Sequence, residues 1–432
     1  MPDQLMEFKA STQVKAMMTL TVLLALFVSW FVVRWYLGNT IAEYFHPEDH
    51  RLETAQMAVK LAPNDPLPHW RLGNLALKEL PPEQISLVVA EYEKAVSLSP
   101  HDYRLWMEFG GALEQAGDFD KAEKALREGV KLAPSYAYPR WYLGNLLLRT
   151  DRYTEGFAEL QRASEESDQF QSQLFNLAWQ LNKDDFNALR AAVGNSPATR
   201  ASFSRYLVER GRYDDGLKLW NSLTDTEKKE SRFAADPIIA SLISALRFHQ
   251  AMDIWNEVAP GPAYNAELGR ILDGGFENNL AHGPGAVFGW QVQSNSQVQI
   301  GIDAGQGHSG SRSLRVYFQV RSHIDTINVS QLVPVKPNTE YDFECYLKTE
   351  RLESAETPVI VVANAGDDAG LAGSASAPSG TNGWQRISLS FKTGEKTEAV
   401  KVKMLRNSCA DSPVCPIFGT VWYDDFDLKP RK

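Results

Sequence analysis

The stretch that most constrains this chain is residues 101–134. Trp106, Gly110, Gly117, Ala122, Leu126 and Pro134 sit at the offsets of a 34-residue helix–turn–helix unit. Small residues at 110 and 122 let the two helices meet closely. Trp106 and Leu126 fill the interface. Pro134, with no N–H to donate, ends the second helix. One hairpin of this size cannot bury its apolar face alone, so it needs stacked neighbours.

The neighbours are readable as a period. Pro63, Pro100 and Pro134 are 37 and 34 residues apart, and Gly73, Gly110 and Gly144 repeat the same intervals. The three extra residues of the first interval fit a turn inserted at Pro81-Pro82. On these residues the segment 51–165 resembles tetratricopeptide repeats, and its first piece, 51–63, reads as a lone second helix. Over 166–265 the pattern decays. An aromatic followed three residues on by a small residue still recurs, as Phe119…Ala122, Tyr153…Gly156, Tyr213…Gly216 and Phe248…Ala251. Trp220 and Trp255 share the last two copies. These residues are read as degenerate helical repeats. The expected fold of 51–265 is an all-α right-handed solenoid of about five or six hairpins with a concave groove. The resemblance implies a protein or peptide partner in that groove. A plain spacer between membrane and C-terminal domain is the alternative.

Residues 16–33 carry no charge. At 1.5 Å per residue they span roughly 27 Å, close to the hydrocarbon thickness of a bilayer. Arg34 can snorkel, so the expected transmembrane helix is 16–37, with Trp30, Trp35 and Tyr36 as an interfacial belt. A signal peptide is the competing reading, but no small-x-small cleavage site follows the run. Lys9 and Lys15 precede the span, and Glu43, Glu48 and Asp49 follow it. The positive-inside rule then puts residues 1–15 in the cytoplasm and the bulk in the periplasm or outside the cell. Residues 38–50 read as a juxtamembrane linker. His46 and His50 are four apart, but Pro47 spoils the helical presentation that a metal pair needs.

Charge narrows the partners. The net charge of −10 leaves no basic excess to neutralise phosphates, which excludes nucleic acid. Residues 1–40 carry +1, residues 270–432 carry −2, and residues 41–269 carry −9 by difference. The acidic middle reads as a solvated helical surface, with a basic partner as the other reading.

Near residue 260 the periodicity changes from helical to alternating, and Pro260-Gly261-Pro262 marks the boundary. Nine strand-like runs follow: 287–292, 298–303, 313–320, 326–335, 340–349, 358–364, 384–392, 399–406 and 419–428. A helix-free domain with this many short strands is expected to be a β-sandwich, spanning 270–429. Three patterns narrow it further: Asp273-Gly-Gly-Phe-Glu277, His308-Ser-Gly-Ser-Arg-Ser-Leu314, and Trp422-Tyr-Asp-Asp-Phe-Asp-Leu428. With Gly289-Trp290 and Gly383-Trp384 between them, they resemble the jelly-roll carbohydrate-binding modules of xylanases and cellulases. The resemblance implies a structural Ca2+ near the joined first and last strands, and polysaccharide binding.

Strand alternation would place Asp424 on the apolar side with Trp422, Phe426 and Leu428. A buried carboxylate needs a cation or several donors. The expected metal ligands are Glu277 and Asp424, with Asp425 as substitute if the strand is bulged and carbonyls from the 309–312 turn completing the shell. Hydrogen bonds from backbone or arginine are the alternative for Asp424. The glycan site is not placed by sequence. Trp290 and Trp384 look like core, and Tyr317, Phe318 and Tyr346 are the remaining candidates. Cys409 and Cys415 share one loop and are expected to pair in an oxidising compartment. Cys345 reads as a buried thiol. Asn328-Val-Ser330 is a glycosylation sequon, meaningful in a eukaryotic source.

Catalytic signatures are missing. Gly305-Gln-Gly-His-Ser-Gly310 precedes a strand, so no helix N-terminus is there to hold a pyrophosphate. Asp424/Asp425 and Asp367/Asp368 are adjacent pairs, and neighbours on a strand point apart, unlike a glycosidase acid/base pair. The expected protein is therefore a non-catalytic membrane scaffold with three parts: one transmembrane helix, an all-α repeat region and an all-β jelly roll. It would bind a protein and a polysaccharide, in envelope or exopolysaccharide assembly. The alternative is a structural subunit of a larger membrane complex with no glycan ligand.

Overall fold

The computed structural model describes residues 11–44, 52–183, 185–278, 280, 287–292, 298–323, 326–407, 409 and 415–431. The His46–His50 motif therefore lies outside the described residues. The chain divides into two compact units, residues 1–194 and 195–432.

The first unit is helical. Its elements are α1 (Thr12–Tyr44), α2 (Leu52–Leu61), α3 (Pro66–Glu79), α4 (Ile85–Leu98), α5 (Tyr103–Gln115), α6 (Phe119–Leu132), α7 (Ala137–Arg149), α8 (Tyr153–Glu165), α9 (Asp168–Asn182) and α10 (Phe186–Val193). They pair as antiparallel hairpins. Asp65, Asp102, Asp118 and Asp185 open α3, α5, α6 and α10 by accepting backbone N–H bonds from the first turn. Gly117, at φ +79, makes the turn between α5 and α6.

The small residues do what the spacing predicts. A Cβ at Gly73 would meet the Tyr92 ring at 2.8 Å. At Gly110 it would meet Leu126 Cγ at 2.7 Å, and at Gly144 Leu160 Cγ at 2.7 Å. Trp106 packs against both its own hairpin and the preceding one, and its indole N–H donates to the Pro100 carbonyl at 2.8 Å.

The first hairpin departs from the sequence reading. Helix α1 does not stop at Leu37 before a linker. It runs on to Tyr44, and its end packs on α2, where a Cβ at Gly38 would lie 2.8 Å from Ala62 Cβ. Ala42 is buried beside it. The Trp35 indole donates to Asp65 Oδ2 at 2.7 Å, and Arg34 donates to the Lys60 carbonyl. Helix α2 is thus not a lone second helix. The apolar side chains before Arg34 stay exposed, and α1 is long and apolar enough to cross a membrane.

The second unit opens with α11 (Pro197–Glu209), α12 (Tyr213–Trp220), α13 (Asp225–Glu230), α14 (Arg232–Ser244) and α15 (Phe248–Val258). The recurring aromatics Tyr213 and Phe248 begin α12 and α15, as Phe119 and Tyr153 begin α6 and α8 in the first unit. Trp220 and Trp255 are buried.

Among the described residues ten strands follow: β1 (Gln291–Val292), β2 (Val298–Asp303), β3 (Ser313–His323), β4 (Thr326–Pro334), β5 (Glu340–Glu353), β6 (Val359–Asn364), β7 (Gly370–Gly373), β8 (Gly380–Lys392), β9 (Ala399–Leu405) and β10 (Pro416–Pro430). Short, glycine-rich β7 has no counterpart in the sequence reading. The strands form two antiparallel sheets, β1-β4-β9-β6-β7 and β2-β3-β10-β5-β8. Between them lies one apolar core that includes Phe276, Trp290, Phe318, Tyr341, Phe343 and Tyr423.

Helix α15 docks on the first sheet. Leu332 of β4 and Phe288 join the cluster of Trp255 and Val258. The His249 ring lies 2.8 Å from the Val335 carbonyl. Cys409 and Cys415 are disulfide-bonded. Arg406 braces their loop through the carbonyls of Glu356 (2.9 Å) and Cys415 (2.6 Å). Cys345 is buried, and burial pushes its thiol far up.

Gly110→Val should force the Leu126 side chain aside. A loss of about 1–3 kcal/mol, typical of overpacking, is expected in chemical denaturation followed by helical circular dichroism. Gly111→Val, where a Cβ meets open space, is the control.

Candidate functional site

Strand β10 does not alternate throughout. Asp424 pairs with Tyr346 and Asp427 with Glu344, so one extra residue is inserted, and Asp425 takes φ +51. This bulge re-aims the strand. Val421, Tyr423, Phe426 and Leu428 face the core. Trp422 and Asp424 face the other way, so Asp424 is not on the apolar side that unbroken alternation gives. It is nevertheless fully buried, because residues 307–312 fold over it.

That turn meets the carboxylates with N–H groups. Asp424 Oδ2 accepts from the backbone of His308 at 2.6 Å and Ser309 at 3.3 Å, and Oδ1 accepts from the Asp425 N–H at 2.7 Å. Glu277 Oε1 accepts from Ser311 and Arg312 N–H at 3.0 and 3.3 Å. Asp425 takes the Ser309 hydroxyl and lies 2.6 Å from His308 Nδ1. Burial, with Asp425 adding to it, holds the Asp424 carboxyl above its ordinary value. Gly310, at φ +63, is what permits the approach, since a Cβ there would fall 2.1 Å from Glu277 Oε1. The structure therefore gathers Glu277, Asp424 and Asp425 at one turn. The residue types suit a hard, oxygen-seeking cation. As they stand, the carboxylates are aimed at N–H donors, and among the described residues no three metal-type side chains converge on one point.

The same loop joins this cluster to the outer face of the second sheet. The His308 ring stacks on Tyr346, with centroids 3.7 Å apart, and meets Trp384 edge-on at 5.7 Å. Tyr317, Arg315, Trp422 and Lys348 share that face by register. Trp422 donates its indole N–H to Asp303 Oδ2 at 2.9 Å. This hydrogen bond, with Arg315 and Lys348 nearby, holds Asp303 below the usual carboxylate range against the opposing effect of burial. Here half-exposed aromatic planes lie beside polar groups, the combination that stacks on and orients a sugar ring.

Of the five aromatic candidates, Trp290 and Phe318 are core. Trp290 packs edge-on to Phe426 at 4.8 Å and donates to the Asp273 carbonyl. Tyr317, Tyr346 and Trp384 stand on the outer face, so Trp384 is not the core residue its motif suggests. Sequence reasoning missed Arg315, Lys348 and Asp303. Their signal was present in the alternation of β2, β3 and β5, whose inward sets are apolar.

In the repeats, the first helices carry a second candidate surface. Tyr138 and Tyr142 on α7 are exposed, and Asn74 on α3 accepts the Tyr92 hydroxyl at 2.9 Å. Glu108 on α5 lies close enough to Tyr92 and Tyr142 to raise both phenols. Among the described residues Glu108 has no hydrogen bond or ion pair, and burial pushes its carboxyl up.

A family model described as a carbohydrate binding domain matches residues 269–405. One described as a tetratricopeptide repeat matches 89–137 and 107–170. A TPR-containing protein of Dictyostelium discoideum is 27% identical over 194 residues, which are 42% of this chain and 14% of that protein, so the chain spans only a small part of it. MamA from Desulfovibrio magneticus RS-1 is similar at 22% identity over 31% of this chain and 73% of its own, with TM-score 0.27. The CBM22-1 xylan-binding domain of Paenibacillus barcinonensis Xyn10C is similar at 16% identity over 39% of this chain and 98% of its own, with TM-score 0.27. The chain carries tetratricopeptide repeats and a C-terminal carbohydrate-binding domain, both non-catalytic kinds of domain.

Glu108 tests whether the repeat surface is kept at a cost in stability. Its proton is held more tightly in the folded state than in the unfolded one. The stability this confers is present at low pH and lost as pH rises through the raised value. Glu108→Gln should raise the melting temperature at pH 7 and reduce the gain the parent shows on acidification to pH 4. Melting curves that move in parallel at every pH would contradict this.

Proposed function

We propose that this protein is a membrane-anchored, non-catalytic scaffold. The outer face of β2-β3-β10-β5-β8 binds a polysaccharide, and the repeats hold a protein partner, in envelope or exopolysaccharide assembly. The observation that carries the reading is the placement of Tyr317, Tyr346 and Trp384 together on the sheet opposite the one that α15 packs on. The N-terminus lies in the cytoplasm and the bulk in the periplasm or outside the cell. The Lys9 and Lys15 bias supports this orientation, as does a disulfide that suits an oxidising compartment.

Purified full chain in mild detergent should bind immobilised polysaccharide. Trp384→Ala and Tyr317→Ala should each weaken binding about tenfold, as for loss of an aromatic contact worth roughly 1–2 kcal/mol. Failure to bind any polysaccharide, with stable partners co-purifying from membranes, would replace this reading with that of a structural subunit of a complex.

A structural Ca2+ at Glu277, Asp424 and Asp425 is a separate proposal. Its support is three carboxylates around one turn, one of them fully buried. Its requirement is that they re-aim away from the N–H groups of 307–312. Bound there, the ion would neutralise Asp424 and tie the last strand to the Glu277 loop. A chelator should then lower the melting temperature, and Asp424→Asn should abolish that sensitivity. An unchanged curve leaves the N–H groups as the only partners of Asp424.

A further inference from the structure

The outer face of the second sheet carries more than aromatic planes. Trp422 pairs with Arg315 on β3 and with Lys348 on β5, so a cation stands on each side of it in one cross-strand row. Lys348 Nζ lies 5.4 Å from the Trp422 ring centroid, and the Arg315 guanidinium lies 6.0 Å from that of Tyr317. The indole is only 6% exposed, so Trp422 is a floor that the cation stems cover rather than a stacking plane. Beyond Arg315 the row reaches Gly301, where a Cβ would meet open space, and it ends in a notch.

Among the described residues neither cation has a carboxylate ion pair. Lys348 donates to Gln306 Oε1 at 2.6 Å. Two carboxylates share the face with them: Asp303 is engaged by the Trp422 indole and by the Gly305 N–H at 3.0 Å, and Glu350, paired with Thr420, lies 3.2 Å from the Arg351 guanidinium. Two cations whose neighbouring acids are already engaged are a poor match for neutral sugars, whose hydroxyls need donors and acceptors alike. They match a carboxylate, which a guanidinium and an ammonium bind with charge-assisted hydrogen bonds. The chain is −10 overall, so general attraction to a polyanion is absent and any affinity must come from a local patch.

We infer that this face selects acidic polysaccharides, polymers of uronic acids, through Arg315 and Lys348 on either side of Trp422. This rests on the polysaccharide reading above. The full chain in mild detergent is tested against immobilised polygalacturonate, its methyl ester and a neutral β-glucan. Polygalacturonate should bind at least fivefold more tightly than the ester, and the difference should shrink in high salt. Arg315→Gln with Lys348→Gln should cost about tenfold on polygalacturonate and leave the ester unchanged. Asp303→Asn keeps an acceptor for the indole and should tighten polygalacturonate binding, a gain that misfolding does not produce. Equal binding of acid and ester, or indifference to both variants, overturns the selection for acids and leaves polysaccharide binding standing. Binding of none of the three overturns both.

Discussion

A two-helix hairpin has one apolar face too many, and the close contact of its helices leaves no way to hide that face within the hairpin. Gly73, Gly110, Gly144 and Gly216 bring helix pairs so near that a Cβ would strike Tyr92, Leu126, Leu160 and Val208. At that distance the contact is complete and rigid, and the remaining apolar surface has to be covered by another element. The first unit solves this at its start with α1. The same helix that is apolar enough to cross a bilayer supplies, from Arg34 onward, the partner that α2 lacks. The apolar stretch and the segment that packs on α2 are therefore one continuous helix, and Gly38 is its contact point.

In the sandwich the organising feature is the bulge at Asp425. Without it, Trp422 and Asp424 would share a side with Phe426 and Leu428. With it, the core keeps its aromatics and the outer face receives an indole and a carboxylate. Residues 307–312 then close over Asp424 with backbone N–H groups, and His308 of the same turn lies flat on Tyr346. One irregularity in one strand thus both buries a charge and shapes the aromatic surface beside it.

The repeats were legible because their markers are residues of restricted choice: glycine where backbones touch, proline where a helix stops, an aromatic where one starts. The strands were legible by alternation, apart from β7, whose Gly-Leu-Ala-Gly is too short to show a period. The end of α1 was not legible, because Gly38 and Ala42 in a weakly apolar stretch look like a linker until α2 is placed against them. The side of the sheet taken by Trp384 was not legible either. A tryptophan after glycine fits a core as well as a surface, and only the pairing of β8 with β5 decides. The outer-face cations were visible as residues and invisible as a pair, since Arg315 and Lys348 become neighbours of Trp422 only through strand register.

At the far end of the second unit the last helix answers to a different kind of neighbour. A repeat that stacks on another repeat must present the shared set of small and large residues. One that stacks on a β-sheet need not. Helix α15 offers Trp255 and Val258 to Phe288 and Leu332, and its His249 ring to a strand-end carbonyl. Those demands come from the sandwich, not from another hairpin. The seam is reinforced by Asn256, which exchanges two hydrogen bonds with the backbone of Ala266 at 2.8 and 2.9 Å. The carbohydrate-binding domain therefore acts as the terminal cap that any stack of hairpins requires. Having its first sheet committed to that task is what leaves the second sheet's outer face available for a ligand.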